Sequence, residues 1–140
     1  MRKKIITLIL LGMISVSGVK ANFAANPNTI DTSFSYNNRQ TYQETEWRYK
    51  YNTSKVYVYP KSGPKINYRV IGRNTLVSNV SYYRSNLVNI PTGVQGSITN
   101  QAVENGDDQV KIYMQRIASY TNYTNGVWSP DSTRNYTVFD

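Results

Sequence analysis

The sequence predicts an all-β domain folded as a two-sheet antiparallel sandwich. Short runs alternate apolar and polar residues with a period of two, and they are enriched in Tyr, Val, Ile and Thr. After the N-terminus, no stretch shows the 3.6-residue apolar period of a helix. Turn signals separate about eight or nine such runs at fairly even spacing, which is typical of sandwiches and small barrels. We expect an immunoglobulin-like sandwich, with a small barrel as the alternative.

The N-terminal residues have the pattern of a signal peptide. A basic patch over residues 1–4 precedes an apolar run over 5–16, which is shorter than the roughly 20 residues needed to span a bilayer. Ala21 supplies the small residue that signal peptidase accepts. We predict cleavage between Ala21 and Asn22 and no permanent membrane anchor. The domain plan is a signal peptide over 1–21, a flexible leader over 22–30 and a single all-β domain over 31–140.

Charge gives little support for a nucleic-acid partner. The chain has 16 Lys and Arg against 8 Asp and Glu, a formal charge of +8. Loss of the four basic residues of the signal peptide lowers this charge to +4, and the remaining basic residues are scattered along the sequence. We therefore predict a secreted protein, either free or associated with the cell wall, that does not bind nucleic acid.

The residue types that are missing exclude most catalytic plans. The chain has no His and no Cys, which removes Ser-His-Asp and Cys-His catalysis, thiolate metal sites and disulfides. A glycosidase would need two carboxylates about 5–9.5 Å apart, and the spacing of the eight acidic residues singles out no pair. We expect a protein that is not an enzyme and needs no cofactor.

The clearest pair of strand-like runs covers residues 46–51 and 55–59. In the first, Trp47, Tyr49 and Tyr51 share a face, and in the second Val56 and Val58 do. A two-residue turn between the runs would form a hairpin with both apolar rows on one side. Its other face would match Lys50 with Tyr57 and Arg48 with Tyr59. A corner that passes the chain to a second sheet fits nearly as well.

Further strands follow along the chain. Ile66, Tyr68 and Val70 alternate with polar residues, and weaker runs lie at 76–83, 87–90 and 96–103. The alternation of Val110, Ile112 and Met114 predicts a long central strand.

Two Asn-Gly dipeptides predict tight turns. At Asn125-Gly126, a type I′ turn would place Tyr123 opposite Trp128. At Asn105-Gly106, a two-residue turn would set acidic residues opposite one another, so we expect an odd-length loop or a bulge there. Glu104, Asp107 and Asp108 form a weak candidate calcium site that lacks the alternating Asp pattern, and a solvated loop is the preferred interpretation.

Tyrosines on outward-assigned faces are the candidate binding residues. A rigid ring offers contact area at low entropic cost and a hydroxyl for hydrogen bonds. The alternative is that Tyr is simply a good strand former that covers the second sheet. The candidates, with two neighbouring basic residues, are Tyr57, Tyr59, Tyr82, Tyr83, Tyr113, Arg48 and Lys50.

Two motifs carry a family resemblance. One is Asn-Thr-Ser-x-Val-Tyr within residues 49–60, and the other is Gly-x-Trp-Ser-Pro-Asp-Ser within 125–132. With the signal peptide, they resemble a family of small uncharacterised secreted proteins of Gram-positive bacteria. The resemblance implies an all-β secreted product and brings no activity with it.

Three functions are consistent with these observations. The first is a non-catalytic extracellular module that binds an anionic cell-wall polymer or another protein. The alternative is a secreted bacteriocin-like antagonist, which would lack an amphipathic helix for disrupting membranes. A glycan-active enzyme that uses carboxylates is the third.

Overall fold

The computed structural model describes residues 26–140, in which eleven strands and one 3₁₀ turn account for the regular structure. The predicted signal peptide and its cleavage site lie outside the described residues. The strands are β1 Thr32–Asn37, β2 Tyr42–Glu44, β3 Arg48–Tyr49, β4 Val56–Ser62, β5 Ile66–Arg73, β6 Ser81–Tyr83, β7 Val88–Ile90, β8 Gly96–Ile98, β9 Gln109–Arg116, β10 Tyr123–Ser129 and β11 Thr137–Phe139. The 3₁₀ turn covers Val103–Asn105.

The strands form two sheets that do not close into a barrel. One has five strands in the order β1-β10-β4-β8-β11, and the other has six, with β2-β9-β5-β6 as its main path. In the six-stranded sheet, β3 also pairs with β9, and β7 with β5. All pairings are antiparallel except β8 with β11. The predicted all-β sandwich is confirmed, and the barrel alternative is wrong.

The core lies between the two sheets and follows the alternation in the sequence. On β9, Val110, Ile112 and Met114 point inward, as predicted for the long central strand. They meet inward side chains of β1, β4, β5 and β10, among which Trp128 is almost completely buried. Because alternate residues of both sheets are removed from water here, the hydrophobic effect stabilises the sandwich in the absence of disulfides.

The predicted hairpin between residues 46–51 and 55–59 is wrong. The first run pairs with β9, where Tyr49 lies opposite Gln109, whereas the second pairs with β10 and β8 of the other sheet. Lys50 therefore does not face Tyr57, and Arg48 does not face Tyr59. The chain passes between the sheets at a corner, which is the alternative that the sequence left open.

The two Asn-Gly dipeptides behave differently from each other. Asn125-Gly126 lies inside β10, at an irregularity in its pairing with β4, so the predicted tight turn is wrong. Asn105-Gly106 lies at the end of the 3₁₀ turn, with Gly106 at φ 85°. The loop is therefore longer than a two-residue turn, which would have set Glu104 opposite Asp107. The weak strand at 96–103 is likewise shorter than predicted, because β8 ends at Ile98.

Tyr68 and Tyr36 provide a matched test of buried hydroxyl groups. Both rings are buried, but among the described residues the Tyr68 hydroxyl has no hydrogen-bond partner. The Tyr36 hydroxyl donates to the carbonyl of Gln40 at 2.6 Å and accepts from the N–H of Arg116 at 3.0 Å. We expect Tyr68→Phe to leave stability unchanged or raise it, and Tyr36→Phe to cost about 1–2 kcal/mol. Urea unfolding would measure both, and an equal loss in the two variants would contradict the assignment.

Candidate binding face

The outer surface of the six-stranded sheet gathers aromatic and cationic side chains. Alternation places Arg69 and Arg73 of β5 outward beside Lys111 and Tyr113 of β9, because these strands pair with Arg69 opposite Tyr113. Tyr83 of β6 lies opposite Ile71 on the same surface. We call this surface the aromatic–cationic face, defined by Tyr42, Trp47, Arg69, Arg73, Tyr83, Lys111 and Tyr113.

Two cations lie against the ring of Trp47. The Arg73 guanidinium carbon lies 4.2 Å from the Trp47 ring centroid, and the Lys111 ammonium lies 4.4 Å from it. Arg73 also donates two hydrogen bonds to the side-chain oxygen of Gln109, and Lys111 forms an ion pair with Glu44 at 2.5 Å. These contacts fix the positions of both cations, which reduces the entropy lost when a ligand binds.

A second cluster surrounds Tyr113. Its ring stacks on Tyr42 at 5.5 Å and meets the edge of Tyr83 at 6.3 Å, while Arg69 lies 4.3 Å from the Tyr83 centroid. Burial, and then the neighbouring Tyr83 and Tyr42, raise the pKa of Tyr113. Tyr83 keeps 63% of its surface exposed and Tyr42 keeps 55%, so the cluster is open to solvent.

Ile71 is an apolar side chain on the face that its neighbours shield from water. It points outward at the centre of the sheet, yet only 5% of it is exposed. Lys111 and Tyr83 are its partners on the two neighbouring strands. Long side chains with polar tips can cover an apolar neighbour with their stems while their tips stay in water. The face is therefore a packed surface with polar tips.

Tyr83 and Tyr113 are the two predicted binding residues on the aromatic–cationic face. Tyr82 is exposed at the edge of the same sheet but points to the opposite side, where Arg84 lies 4.8 Å from its ring. The five other members of the face were not predicted as binding residues: Tyr42, Trp47, Arg69, Arg73 and Lys111. The alternation of polar and apolar residues along β5 and β9 indicates that Arg69, Arg73 and Lys111 point outward, whereas Trp47 was assigned to the apolar row of the predicted hairpin.

Tyr57 and Tyr59 lie on the other sheet. Tyr57 was predicted to be outward and open, but it is buried, because Tyr136 packs on it at 4.5 Å and its hydroxyl donates to Gln95. Tyr59 is half-buried beside Lys61, whose ammonium lies 5.5 Å from the ring. The C-terminal segment therefore covers part of the five-stranded sheet.

Tyr57 gives the domain a sensitivity to alkaline pH. Burial, and then the nearby Asp31 carboxylate, raise the pKa of Tyr57 from 10.0 to about 12. A raised pKa in the folded state contributes stability that is complete below pH 10 and is lost as the pH rises through 12. We expect Tyr57→Phe to show a shallower fall in unfolding free energy across this range. Identical slopes for variant and wild type would contradict the assignment.

Arg48 and Lys50 make internal contacts instead of facing solvent. Arg48 donates to the carbonyls of Trp128 at 3.1 Å and Ile30 at 2.6 Å, which ties the segment before β1 to β10. Lys50 is 3% exposed. The expectation that Lys50 presents a surface charge is wrong, because its ammonium lies in a buried network.

The Lys50 network joins the two sequence motifs. The ammonium forms an ion pair with Asp131 at 2.8 Å and donates to the carbonyls of Ser54 and Pro130. The other Asp131 oxygen accepts the N–H groups of Asn28 at 2.8 Å and Tyr51 at 3.0 Å. Burial lowers the pKa of Lys50, and Asp131 partly offsets this effect. The residues that carry the family resemblance thus hold the fold together.

The acidic loop residues have other partners. Asp107 pairs with Arg84 through two hydrogen bonds, and the carboxylate of Asp108 accepts from the N–H and hydroxyl of Thr75. Glu104 is exposed on the 3₁₀ turn. Within residues 26–140 no group of three or more Asp, Glu, His or Cys side chains is placed to hold a metal ion. The carboxylates of Asp107 and Asp108 instead tie loops to the sheet.

An open polar groove of about 800 Å³ adjoins the aromatic–cationic face. It lies where the end of β6 approaches β8 and β11. Its lining comes from residues 83–86 and 99–101 and from Lys55, Asn105, Val138 and Asp140. Tyr83 belongs to both surfaces, so the groove continues from the face.

Residues 26–140 contain no helix with the length and apolar character of a membrane span.

The fold and this surface together define a small β-sandwich with an exposed aromatic and cationic sheet face. The chain belongs to a family described as "Protein of unknown function (DUF2712)", whose model matches residues 20–132. This match covers both motifs and confirms the predicted membership of an uncharacterised family. No curated protein and no solved structure matches the chain significantly.

Proposed function

We propose that this protein is a secreted, non-catalytic module that binds an anionic polymer of the cell wall through its aromatic–cationic face. The observation that carries the proposal is the placement of three cations beside aromatic rings on one sheet surface: Arg69 beside the exposed Tyr83, and Arg73 and Lys111 beside the half-buried Trp47. The predicted signal peptide supports an extracellular location. The predicted antagonist and glycan-active enzyme have no such observation in their favour.

The charge on the face favours an anionic ligand. Three cations lie on it, and Glu44 is the carboxylate that pairs with one of them. A guanidinium donates charge-assisted hydrogen bonds to phosphate and carboxylate groups. Arg69, and Arg73 through the N–H groups that Gln109 does not accept, are therefore suited to a repeating anion. Because exposed charges are screened by salt, we expect the affinity to fall as ionic strength rises.

The aromatic rings supply the remaining affinity. Tyr83 and Tyr42 are more than half exposed, and Trp47 is held by its two cations. Rings held in place by packing can contact a ligand without losing much side-chain entropy. Strands β2, β5, β6 and β9 and the residue before β3 present these groups on one surface, so the ligand is expected to be extended.

The test is retention on purified walls of a Gram-positive bacterium at low salt. We expect the wild type to bind and the Trp47→Ala/Arg73→Ala variant to bind at least tenfold more weakly, because an aromatic and an Arg anchor are both lost. Retention of the wild type should also decrease with added salt.

The matched control lies on the other sheet. Tyr59→Ala/Lys61→Ala also removes one aromatic ring and one cation in contact with it. We expect this variant to bind like the wild type. Equal loss in both variants, or wild-type binding that does not respond to salt, would overturn the proposal. Thermal unfolding of each variant shows whether it is folded.

A further inference from the structure

The polar groove beside Tyr83 holds side chains that the fold does not use. Asn100, Ser85 and Arg84 in its lining are engaged in hydrogen bonds within the domain. Asn105 in the lining likewise donates to the carbonyl of Gln101. Among the described residues, the following polar side chains of the lining have no protein hydrogen-bond partner: the Lys55 ammonium, the Asn86 amide, the Thr99 hydroxyl, the Gln101 amide and the Asp140 carboxylate.

The hydrogen-bonding groups of the lining indicate which class of ligand the groove can bind. Amides offer a donor and an acceptor side by side, and a hydroxyl and a carboxylate add further acceptors. Such a lining has little to offer an apolar molecule, whereas a ligand with many hydroxyl groups can exchange water for these partners. The exposed ring of Tyr83 at the rim provides a flat surface for the C–H face of a sugar.

We propose that the groove binds saccharide units, so that the ligand of this protein is a glycan-containing wall polymer. This inference rests on the proposed function and narrows it, because Tyr83 joins the groove to the aromatic–cationic face. Anionic groups of the polymer contact Arg69 and Arg73, while a neighbouring sugar enters the groove and meets Asn86 and Gln101.

The test uses untreated walls as the support and neutral oligosaccharides, released from the wall polymer by acid, as the soluble probe. We expect these oligosaccharides to displace the wild type from the walls, because they can occupy the groove without the anionic groups. Asn86→Ala/Gln101→Ala should bind about tenfold more weakly, since it loses hydrogen bonds from two amides. Both residues are exposed, so their replacement leaves the fold intact, which thermal unfolding would check.

A matched control removes two exposed amides away from the groove, in Gln40→Ala/Asn122→Ala, and should bind like the wild type. The inference is overturned if the oligosaccharides do not displace the wild type, or if the groove variant binds untreated walls as well as the control does. The proposed function fails separately, if Trp47→Ala/Arg73→Ala binds untreated walls like the wild type.

Discussion

Asp131→Ala is expected to destabilise the domain by about 3–5 kcal/mol, which is a large fraction of the roughly 5–15 kcal/mol of a typical domain. Asp131 is completely buried, and its two oxygens accept from Lys50, Asn28 and Tyr51. Its removal leaves the buried Lys50 ammonium without a counter-charge and two backbone N–H groups without their acceptor. Urea unfolding would measure the loss as a lower midpoint at unchanged slope.

Two comparisons make this result specific to the buried network. Asp140→Ala removes an exposed carboxylate and should change stability by less than about 0.5 kcal/mol. Adding Lys50→Met to Asp131→Ala should recover part of the loss, because the uncompensated charge is gone. If Asp131→Ala cost no more than Asp140→Ala, the ion pair would not stabilise the fold.

Gly126→Ala has the second largest expected effect, a loss of about 3 kcal/mol from overpacking. A Cβ at this position would lie 2.2 Å from the backbone oxygen of Tyr59 and 2.7 Å from the ring of Phe34. The backbone of β4 cannot move away without breaking its pairing with β10. Thermal or urea unfolding would measure the change.

The controls separate close packing from turn geometry. Gly93 has φ +88° but open space around it, so Gly93→Ala should cost only about 1 kcal/mol of backbone strain. Asn125→Ala should be nearly neutral, because Asn125 lies within β10 and not in a type I′ turn. A large loss in Asn125→Ala together with a small loss in Gly126→Ala would instead support the turn.

Gly126 also shows why one sequence signal failed. Asn-Gly predicts a tight turn because both positions tolerate positive φ, but a glycine also fits wherever two backbones approach closely. A tight turn and a close approach of two backbones therefore look the same in the sequence. The tertiary structure shows that Gly126 serves close approach, because the neighbouring strand and the Phe34 ring leave no room for a Cβ.

The candidate binding face was predictable in part. The alternation of residues along β9 placed Tyr113 outward and Val110, Ile112 and Met114 inward, as the structure shows. The grouping of Trp47 with Arg73 and Lys111 could not be predicted, because it depends on β3 and β5 both pairing with β9. Lys50 was expected at the surface but is buried. Its ion pair with Asp131, which is distant in the sequence, could not be predicted.

The sequence by itself determined the all-β class, the inward residues of the long strands and the family, because alternation and short motifs are local properties of the chain. The tertiary structure decided which strands are neighbours, and therefore which side chains share the face, the groove and the buried ion pair. Strand pairing joins residues that are distant in sequence, and several pairings bury equally apolar rows. The choice among them depends on the packing of the whole sandwich.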